Sequence, residues 1–312
     1  MKTKTNQFSK WSKYRPKKWY EKYWVEIVIF FIGLCLINIF LFAKTFKGDF
    51  IESTKAGQYG DFIGGYIGTI FVLISVLLLY ITLKNQRILF EQEKFEERFF
   101  ELLKLHRENV NELSIAEKEG KKVFVILVRE FREILNIVKE QVGLTKLDYN
   151  KEKIINLAYL IFFYGLGPNS TRVLKSSLTG YDDSLIDVII KKLSKIQKKL
   201  KNGHILFDGN QSRLGHYYRH LYQTITFIHY KNIQIDKYEY IKTLRSQLTN
   251  HEQALLFFNS LSKLGKTWRE ENLIEEYRLI KNLPKNFIDP HTEINVKDVY
   301  PNLVFEYEEN EK

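Results

Sequence analysis

The run FIGGYIGTIFVLISVLLLYITL, residues 62–83, contains 22 residues without a charged side chain. At 1.5 Å per helical residue it would reach about 33 Å, enough to cross the hydrocarbon core of a bilayer. A helix of this length on the surface of a water-soluble protein would carry charges on its outer face. The stretch therefore predicts a transmembrane helix.

A second apolar run of 17 uncharged residues occupies positions 27–43. Four aromatic residues, whose rings favour the headgroup level of a membrane, precede it: Trp19, Tyr20, Tyr23 and Trp24. A cleaved signal peptide is the alternative interpretation. It would need a small-residue cleavage site, whereas bulky residues lead to Lys44 here and a second span follows soon after. We therefore predict two spans.

The charges that flank these runs predict their orientation. Eight basic residues precede the first span, accompanied by Glu21 and Glu26: Lys2, Lys4, Lys10, Lys13, Arg15, Lys17, Lys18 and Lys22. The loop 44–60 carries three lysines. The positive-inside rule then places the N-terminus and everything after Leu83 in the cytoplasm, so we expect a membrane protein with two spans.

Helical periodicity continues beyond the second span, without Gly or Pro until Gly120. We predict a stalk helix that couples the spans to the domain, pairs with another copy, or packs on the domain itself. Seven further helices are predicted downstream: Lys122–Gln141, Lys151–Tyr164, Asp183–Lys201, Gly209–Lys231, Lys237–Leu248, His251–Leu264 and Glu270–Lys281. The polar residues Asp208 and Asn250 are predicted to cap two of them. No hairpin is predicted, and Val296–Tyr307 is a candidate edge strand.

The predicted fold class is all-α, with two N-terminal transmembrane helices, a helical stalk and a cytoplasmic α-helical domain. Its segments are a basic cytoplasmic N-terminus (1–23), transmembrane helix 1 (24–43), a short external loop (44–60), transmembrane helix 2 (61–83), the stalk (84–118), the helical domain (119–285) and a C-terminal tail (286–312). The spacing Gly64-x-x-x-Gly68 allows close helix approach and is compatible with a homodimer.

Composition and motifs exclude several classes of function. The net charge is +11, but residues 84–312 carry only +5 of it, which is a weak basic signal for nucleic-acid binding. The single cysteine, Cys35, permits neither an intrachain disulfide nor a cysteine-based zinc site. Phosphate-loop, zinc-protease, serine-nucleophile and dinucleotide fingerprints are absent from the sequence. We predict no cofactor and no metal.

The most polar predicted helix carries the candidate catalytic residues Arg213, His216 and His220. With Tyr217 they fall at positions i, i+3, i+4 and i+7 and form one stripe; Gln211 and Arg219 are supporting candidates. An apolar stripe faces the core: Leu214, Tyr218, Leu221, Ile225 and Ile228. A histidine that moves a proton and an arginine that stabilises charge on a phosphate are the parts needed to cleave RNA.

The spacing of Arg213 and His220 resembles the Arg-x(4–6)-His signature of HEPN-type ribonucleases. Those enzymes are all-α and need no metal, and they assemble their site at a dimer interface. Leu214 and Gly215 depart from that pattern, which usually has a polar residue directly after the arginine. The alternative is a buried polar network in which the stripe residues satisfy one another.

Two other features are candidate anion sites. The loop Gly165–Arg172 runs into a helix, where Asn169, Ser170 and Arg172 could hold a phosphate. Such a loop more often ends one helix and caps the next. A run of lysines could contact RNA or anionic lipid, or be a solvated helix face: Lys191, Lys192, Lys195, Lys198, Lys199 and Lys201.

Three segments resemble the phage abortive infection family typified by AbiC. They are Gly60–Arg87 with its GDFIGG start, Phe95–Asn109 (FEERFFELLKLHREN) and Gln211–Tyr222 (QSRLGHYYRHLY), and the resemblance extends from about residue 57 to 285. The resemblance implies a bacterial defence protein that arrests or kills an infected cell before the phage matures. It does not imply a particular biochemical activity.

These observations lead to one functional prediction with alternatives. The chain is predicted to be a membrane-anchored abortive infection effector that cleaves RNA through the Arg/His pair. The alternatives are a non-enzymatic effector that perturbs the bilayer, and a membrane-tethered sensor or adaptor. The predicted partners are a second copy of the chain, the lipid bilayer, RNA and a phage-derived trigger.

Overall fold

Helices make up nearly all of the regular structure in the described part of the chain. The computed structural model describes residues 19–43, 46–47, 50–145, 147–167, 170–197, 205–289 and 293–310. Within these ranges each strand is two residues long, and the strands form two antiparallel pairs. The predicted all-α fold class is confirmed.

The chain divides into two compact units, Met1–Ile88 and Leu89–Lys312. The first unit contains helix α1 (Trp19–Ala43), strands β1 (Phe46–Lys47) and β2 (Phe50–Ile51), helix α2 (Ser53–Phe62), a π-helical turn (Ile63–Ile67) and the start of helix α3 (Gly68–Asn111). Residues 1–18 of the predicted basic N-terminus (1–23) and part of the predicted external loop lie outside the described residues.

Two helical stretches of this unit, in α1 and in the continuous segment Ser53–Asn111, are long and apolar enough to cross a membrane by length and composition. Their apolar side chains are not packed inside the protein. Phe30 is 67% exposed and Leu73 is 61% exposed. This exposure supports membrane insertion, because water tolerates only limited contiguous apolar surface on a folded protein.

Polar side chains in the first unit bond to nearby backbone. Asn38 donates to the Leu34 carbonyl at 2.8 Å, and the Tyr59 hydroxyl donates to the Asn38 carbonyl at 2.7 Å. The hydroxyls of Ser75 and Thr82 each donate, at 2.8 Å, to the carbonyl four residues earlier. A bilayer offers no water to satisfy such groups, so these bonds suit an apolar solvent.

The second unit contains the rest of α3 and a series of shorter elements. They are β3 (Ser114–Ile115), β4 (Lys118–Glu119), α4 (Lys121–Thr145), α5 (Lys151–Tyr164), α6 (Ser170–Ser177), α7 (Asp183–Gln197), α8 (Gln211–His229), α9 (Lys237–Arg245), α10 (Asn250–Leu261), α11 (Thr267–Glu270), α12 (Leu273–Glu276), a 3₁₀ turn (Val296–Asp298) and α13 (Glu306–Asn310).

Two helices form the centre of this unit. Every residue from Leu157 to Phe162 in α5 is buried, as is every residue from Glu252 to Leu261 in α10. A helix that is buried on all faces lies inside a core rather than on its surface. Helix α4 contacts both of them, and Phe131 of α4 packs against Phe258 of α10 with ring centroids 4.3 Å apart.

The part of α3 predicted as a stalk contributes one face to this core. Its buried residues are Phe95, Phe99, Leu102, Leu103, His106 and Val110. The Phe95 ring stacks on Phe227 of α8 at 5.2 Å. Of the three stalk arrangements predicted from the sequence, packing on the domain is therefore the one this face adopts, since the same side chains are covered within a single chain.

The C-terminal predictions were partly wrong. No strand forms in the described part of Val296–Tyr307, where a 3₁₀ turn and the start of α13 are found instead. The single helix predicted over Glu270–Lys281 is replaced by α11, α12 and turns. Asn272 adopts a left-handed conformation with φ 53°, which interrupts the helix and lets adjacent residues such as Leu273 and Ile274 both reach the core.

Two short hairpins and two helix starts also differ from the sequence prediction. The β1–β2 and β3–β4 pairs were not expected. Helix α10 is capped by Thr249 rather than Asn250, and the Thr249 hydroxyl and the Glu252 carboxylate form a reciprocal capping box. Helix α8 begins after Asn210, not Asp208, and no side-chain hydrogen bond caps it.

Candidate functional site

Helix α8 carries the predicted catalytic stripe, and its apolar face fixes its orientation. Five predicted core residues are buried: Leu214, Tyr218, Leu221, Ile225 and Ile228. This confirms the amphipathic interpretation of the helix. Tyr217, which was assigned to the polar stripe, is only 2% exposed and also belongs to the interior.

A buried carboxylate organises the chain where α8 begins. Glu130 is 4% exposed; its Oε1 accepts from the Phe207 amide at 2.7 Å and its Oε2 accepts from the Asn210 side-chain amide at 3.3 Å. The same Asn210 amide donates to the Phe162 carbonyl at 3.2 Å. Burial raises the pKa of Glu130, and the bonds from Phe207 and Asn210 oppose that rise. Glu130 thus ties α4 to the connections around α5 and α8.

Two glycines allow the backbones of these connections to meet. Gly165 has φ +77° and Gly209 has φ +101°, a region that favours glycine. A Cβ on Gly165 would lie 2.2 Å from the Asp208 carbonyl carbon, and one on Gly209 would lie 2.3 Å from the Tyr164 oxygen. Neither position can hold a side chain without moving the backbone.

Arg213 bonds to β3 and to the turn before α8 rather than to other residues of the polar stripe. Its guanidinium donates to the Ser114 carbonyl at 3.3 Å and to the Gly209 carbonyl at 3.4 Å. It lines an open cavity of about 330 Å³ together with Glu130 and Asp208. The two carboxylates beside the guanidinium make this cavity less suited to an anion than Arg213 alone would suggest.

Tyr217 connects α8 to α10. Its hydroxyl donates to Glu252 Oε1 at 3.1 Å, while Glu252 Oε2 accepts from the Thr249 amide at 2.7 Å. Burial, followed by the charge of Glu252, raises the pKa of Tyr217 well above its usual value. Burial likewise raises the pKa of Glu252. The supporting residue Tyr217 is therefore a neutral interhelical donor.

His220 lies against a histidine from another helix. Its ring stacks on that of His106 in α3, with centroids 6.0 Å apart and planes 22° from parallel, and the His106 ring also contacts Tyr217 at 5.4 Å. None of the four ring nitrogens of the two histidines has a hydrogen-bond partner among the described residues. Burial, then the charge of His220, then that of Lys121, lowers the pKa of His106 to about 4.

The pKa of His220 is lowered as well, by burial first and then by the charges of His216 and Arg98. Arg213 is not among these causes. Residues seven apart on a helix are separated by about 10 Å along its axis, and here the two side chains contact different neighbours. The structure therefore groups His220 with His106, Tyr217 and Arg98.

The remaining α8 candidates are exposed. His216, Arg219 and Gln211 all face solvent, and Arg219 Nε donates to the Gly215 carbonyl of its own helix at 3.0 Å. The predicted polar network does not form among the stripe residues themselves, because Arg213 and Tyr217 bond to groups outside α8 or to its preceding turn.

The sequence analysis did not predict His106 as a site residue. A histidine at a core position among phenylalanines and leucines is the one local signal that could have marked it. Its proximity to α8 is a long-range contact that helical spacing does not predict.

The two candidate anion sites are only partly described. Ser170 begins α6, its amide donates to the Gly167 carbonyl at 3.0 Å, and Arg172 is exposed; Asn169 lies outside the described residues. Asp208 Oδ1 lies 2.8 Å from where a Cβ of Gly167 would be, so a negative charge is already present near this loop.

The lysine run is a solvated face over the part that the structure describes. Lys191, Lys192 and Lys195 lie on α7, whose apolar residues Leu185, Ile189 and Leu193 are buried. Lys192 pairs with Glu140 at 2.6 Å. Lys198, Lys199 and Lys201 lie outside the described residues. Across the described ranges, no group of three or more His, Cys, Asp or Glu side chains could hold a metal ion.

The fold and this site define a helical protein with two helices suited to a membrane and a body in which polar side chains of α3, α8 and α10 meet in the interior. The model of the family described as "Putative phage abortive infection protein" matches residues 209–288. The predicted resemblance is thereby confirmed over this segment, which begins at Gly209 and includes α8 to α12. No curated protein and no solved structure matches the chain significantly. The family match supports a role in phage defence.

Proposed function

We propose that this chain is a membrane-anchored effector of abortive infection that acts on the permeability of the membrane holding it. The observation that carries the proposal is the exposure of apolar side chains along α1 and the first half of α3, in a chain whose residues 209–288 match the abortive infection family. A defence protein that acted only in the cytosol would have no use for this surface.

The proposed location is the bacterial inner membrane, with the N-terminus and the helical body in the cytoplasm. Eight basic residues before the first span and three lysines in the following loop support this orientation. A homo-oligomer is part of the proposal, because a Cβ on Gly64 would meet no atom within 4 Å and so leaves space for another helix.

Two features support a membrane mechanism over RNA cleavage by a single chain. Both ring nitrogens of His220 are buried, and the cavity that Arg213 lines does not include His220. A general base must come within about 3 Å of the proton that it takes.

The second candidate function is RNA cleavage at a HEPN-like site that two chains assemble. The lowered pKa of His220 favours it, because a neutral imidazole can accept a proton at cytoplasmic pH.

One infection experiment separates the candidates. Cells carrying wild type, Gly64→Leu, Arg213→Ala, His220→Ala or the control Arg129→Ala, which removes an exposed arginine from α4, are infected with phage. Survival, membrane potential and RNA integrity are measured in the same cultures, together with the amount of each protein in the membrane fraction.

If the proposal is right, wild type collapses the membrane potential while RNA stays intact. Gly64→Leu then abolishes protection, and the Arg213 and His220 variants keep it. Fragmented RNA that disappears only in the Arg213 and His220 variants would replace the proposal with the nuclease candidate. Protection without a change in either readout would contradict both and favour an adaptor.

A further inference from the structure

A small cavity lies beside the start of α4. It has a volume of about 100 Å³ and is lined by His106, Arg107, Val110, Asn111, Lys121 and Gln247. None of these six residues is acidic. Two of them, Arg107 and Lys121, are positively charged, and all except Val110 carry a side-chain nitrogen that can donate a hydrogen bond to an anion.

His106 is the element of this cavity that lacks a partner. The side chain is 1% exposed, and neither Nδ1 nor Nε2 has a hydrogen-bond partner among the described residues. Its ring is tilted by 42° against Tyr217 and stacks on His220, and neither contact gives the nitrogens a hydrogen-bond partner. A neutral imidazole has one N–H donor, and a buried donor without an acceptor carries a free-energy cost. A ligand oxygen in the cavity would remove that cost.

Two further groups at the cavity attract negative charge. Lys121 is the first residue of α4, so the N-terminus of this 25-residue helix lies at the cavity wall, where its partial positive charge favours an anion. The Lys121 ammonium donates to the Gln247 carbonyl at 2.9 Å, and this single bond leaves it two further N–H donors. Arg107, which is exposed, adds a guanidinium at the rim.

One acidic group that acts on Lys121 is already engaged. Glu252 acts electrostatically on Lys121, but its Oε1 accepts from Tyr217 and its Oε2 accepts from the amide and hydroxyl of Thr249. The titratable groups that act on His106 from packed elements are His220 of α8 and Lys121 of α4. Arg107 and Lys121 therefore meet no carboxylate in the cavity lining.

We propose that this cavity binds a phosphate group, either as free phosphate or as the terminal phosphate of a nucleotide, held by Lys121, Arg107 and His106 at the N-terminus of α4. A volume of about 100 Å³ corresponds to roughly three water molecules, which gives room for one phosphate but not for a nucleoside. Any larger part of the ligand would project outward past Arg107.

Binding is coupled to protonation of His106. The charge of Lys121, and that of His220 when it is protonated, help to hold its pKa low, and an anion in the cavity would offset their effect and favour the imidazolium. The affinity for an anion of fixed charge should therefore rise as the pH falls from 8 to 5.

Calorimetry on the full chain in detergent micelles tests the site, with chloride used to keep ionic strength constant. The probes are sulfate, inorganic phosphate and adenosine 5′-monophosphate. Lys121→Gln removes one cavity cation, and Lys122→Gln is the matched control: it makes the same charge change one residue later, outside the cavity lining. We expect Lys121→Gln to weaken sulfate binding on the order of tenfold and Lys122→Gln to leave it nearly unchanged.

The pH dependence is measured with sulfate, which stays doubly charged from pH 5 to 8. Wild type should bind sulfate more tightly at pH 5, whereas His106→Phe, which keeps the ring contacts and lacks the nitrogens, should bind weakly at all pH values. If His106→Phe does not fold, the comparison between Lys121→Gln and Lys122→Gln decides the question, because both side chains are exposed.

Equal losses in Lys121→Gln and Lys122→Gln, or no sulfate or phosphate binding to wild type at 10 mM, would overturn the proposal. If the site is right, equal affinity for phosphate and for the nucleotide would identify free phosphate as the ligand. Tighter binding of the nucleotide would identify a nucleotide as the ligand. The readout is binding alone, so its failure leaves the proposed membrane mechanism untouched.

Discussion

The two units use the same apolar residue types in opposite ways. Leu73 in the first unit is 61% exposed, whereas Leu127 in the second is fully buried. In the first unit apolar side chains face outward along entire helices; in the second they fill a core around α5 and α10. The hydrophobic effect can stabilise both arrangements only if the first unit's surface is removed from water by something other than the chain.

Polar groups show the same division. In the first unit Asn38, Ser75 and Thr82 bond to carbonyls of their own helices, four residues earlier. In the second unit buried polar groups such as Glu130 and Glu252 bond across elements and fix their packing. The first pattern makes each helix self-sufficient, as a bilayer requires, while the second specifies a tertiary fold.

The largest expected effect comes from truncating the same residue type in each unit. Phe131→Ala removes a ring that is fully buried against Phe258, Phe162 and Tyr159, so it should cost about 3–5 kcal/mol of the body's stability. Phe30→Ala removes a ring that contacts solvent or lipid over two thirds of its surface, and should cost less than about 1 kcal/mol.

Thermal unfolding of the full chain in detergent, followed by the fluorescence of the buried Trp268, measures this difference. Phe131→Ala should lower the midpoint by roughly 10 °C, and Phe30→Ala should shift it little. A large shift from Phe30→Ala would mean that α1 is packed into protein, which would remove the contrast between the units.

The contrast itself could be predicted from the sequence, because both parts depend on local patterns. The uncharged run 62–83 and the helical pattern of Lys151–Tyr164 are signals carried by neighbouring residues. The predicted bounds of the latter are the bounds of α5. The interruption at Asn272 was missed because it depends on a left-handed backbone conformation that the apolar pattern does not reveal.

The site was less predictable for a similar reason. The amphipathic face of α8 followed from spacing, but the partners of its polar residues come from distant parts of the chain: Ser114 for Arg213, Glu252 for Tyr217 and His106 for His220. Sequence spacing shows which residues share a face of one helix. It does not say which other helix they meet.

An intermediate effect is expected when a lysine replaces an exposed leucine in each unit. Leu73 and Leu144 are 61% and 69% exposed, so neither mutation buries the new charge inside the protein. Leu73→Lys should cost about 2.5–3.5 kcal/mol if α3 crosses a bilayer at this point, and should reduce the protein recovered in the membrane fraction. Leu144→Lys, at the end of α4, should change stability by less than about 0.5 kcal/mol.

Membrane fractionation followed by immunoblotting checks both variants against wild type at equal expression. If Leu73→Lys inserts as well as Leu144→Lys, the outward apolar surface of α3 does not face lipid. The proposed function would then lose the observation that carries it.

The smallest expected effect is a loss of stability as the pH falls. It should be confined to the second unit, which contains all seven histidines of the chain. The ordinary pKa of 6.5 for His106 falls to about 4 in the folded state. Between these values the unfolded chain binds a proton that the folded chain excludes, so stability is lost as the pH falls. The loss should reach about 2 kcal/mol between pH 7 and pH 5.

Thermal unfolding in phosphate-free buffers at pH 7, 6 and 5 measures this loss as a fall of roughly 4–8 °C in the midpoint. His106→Phe should remove most of it, because the ring still packs on Tyr217 but no longer takes up a proton when the body unfolds. His216→Gln, which changes an exposed histidine on α8, should retain the wild-type fall. Equal pH dependence in all three proteins would show that His106 does not cause the loss of stability.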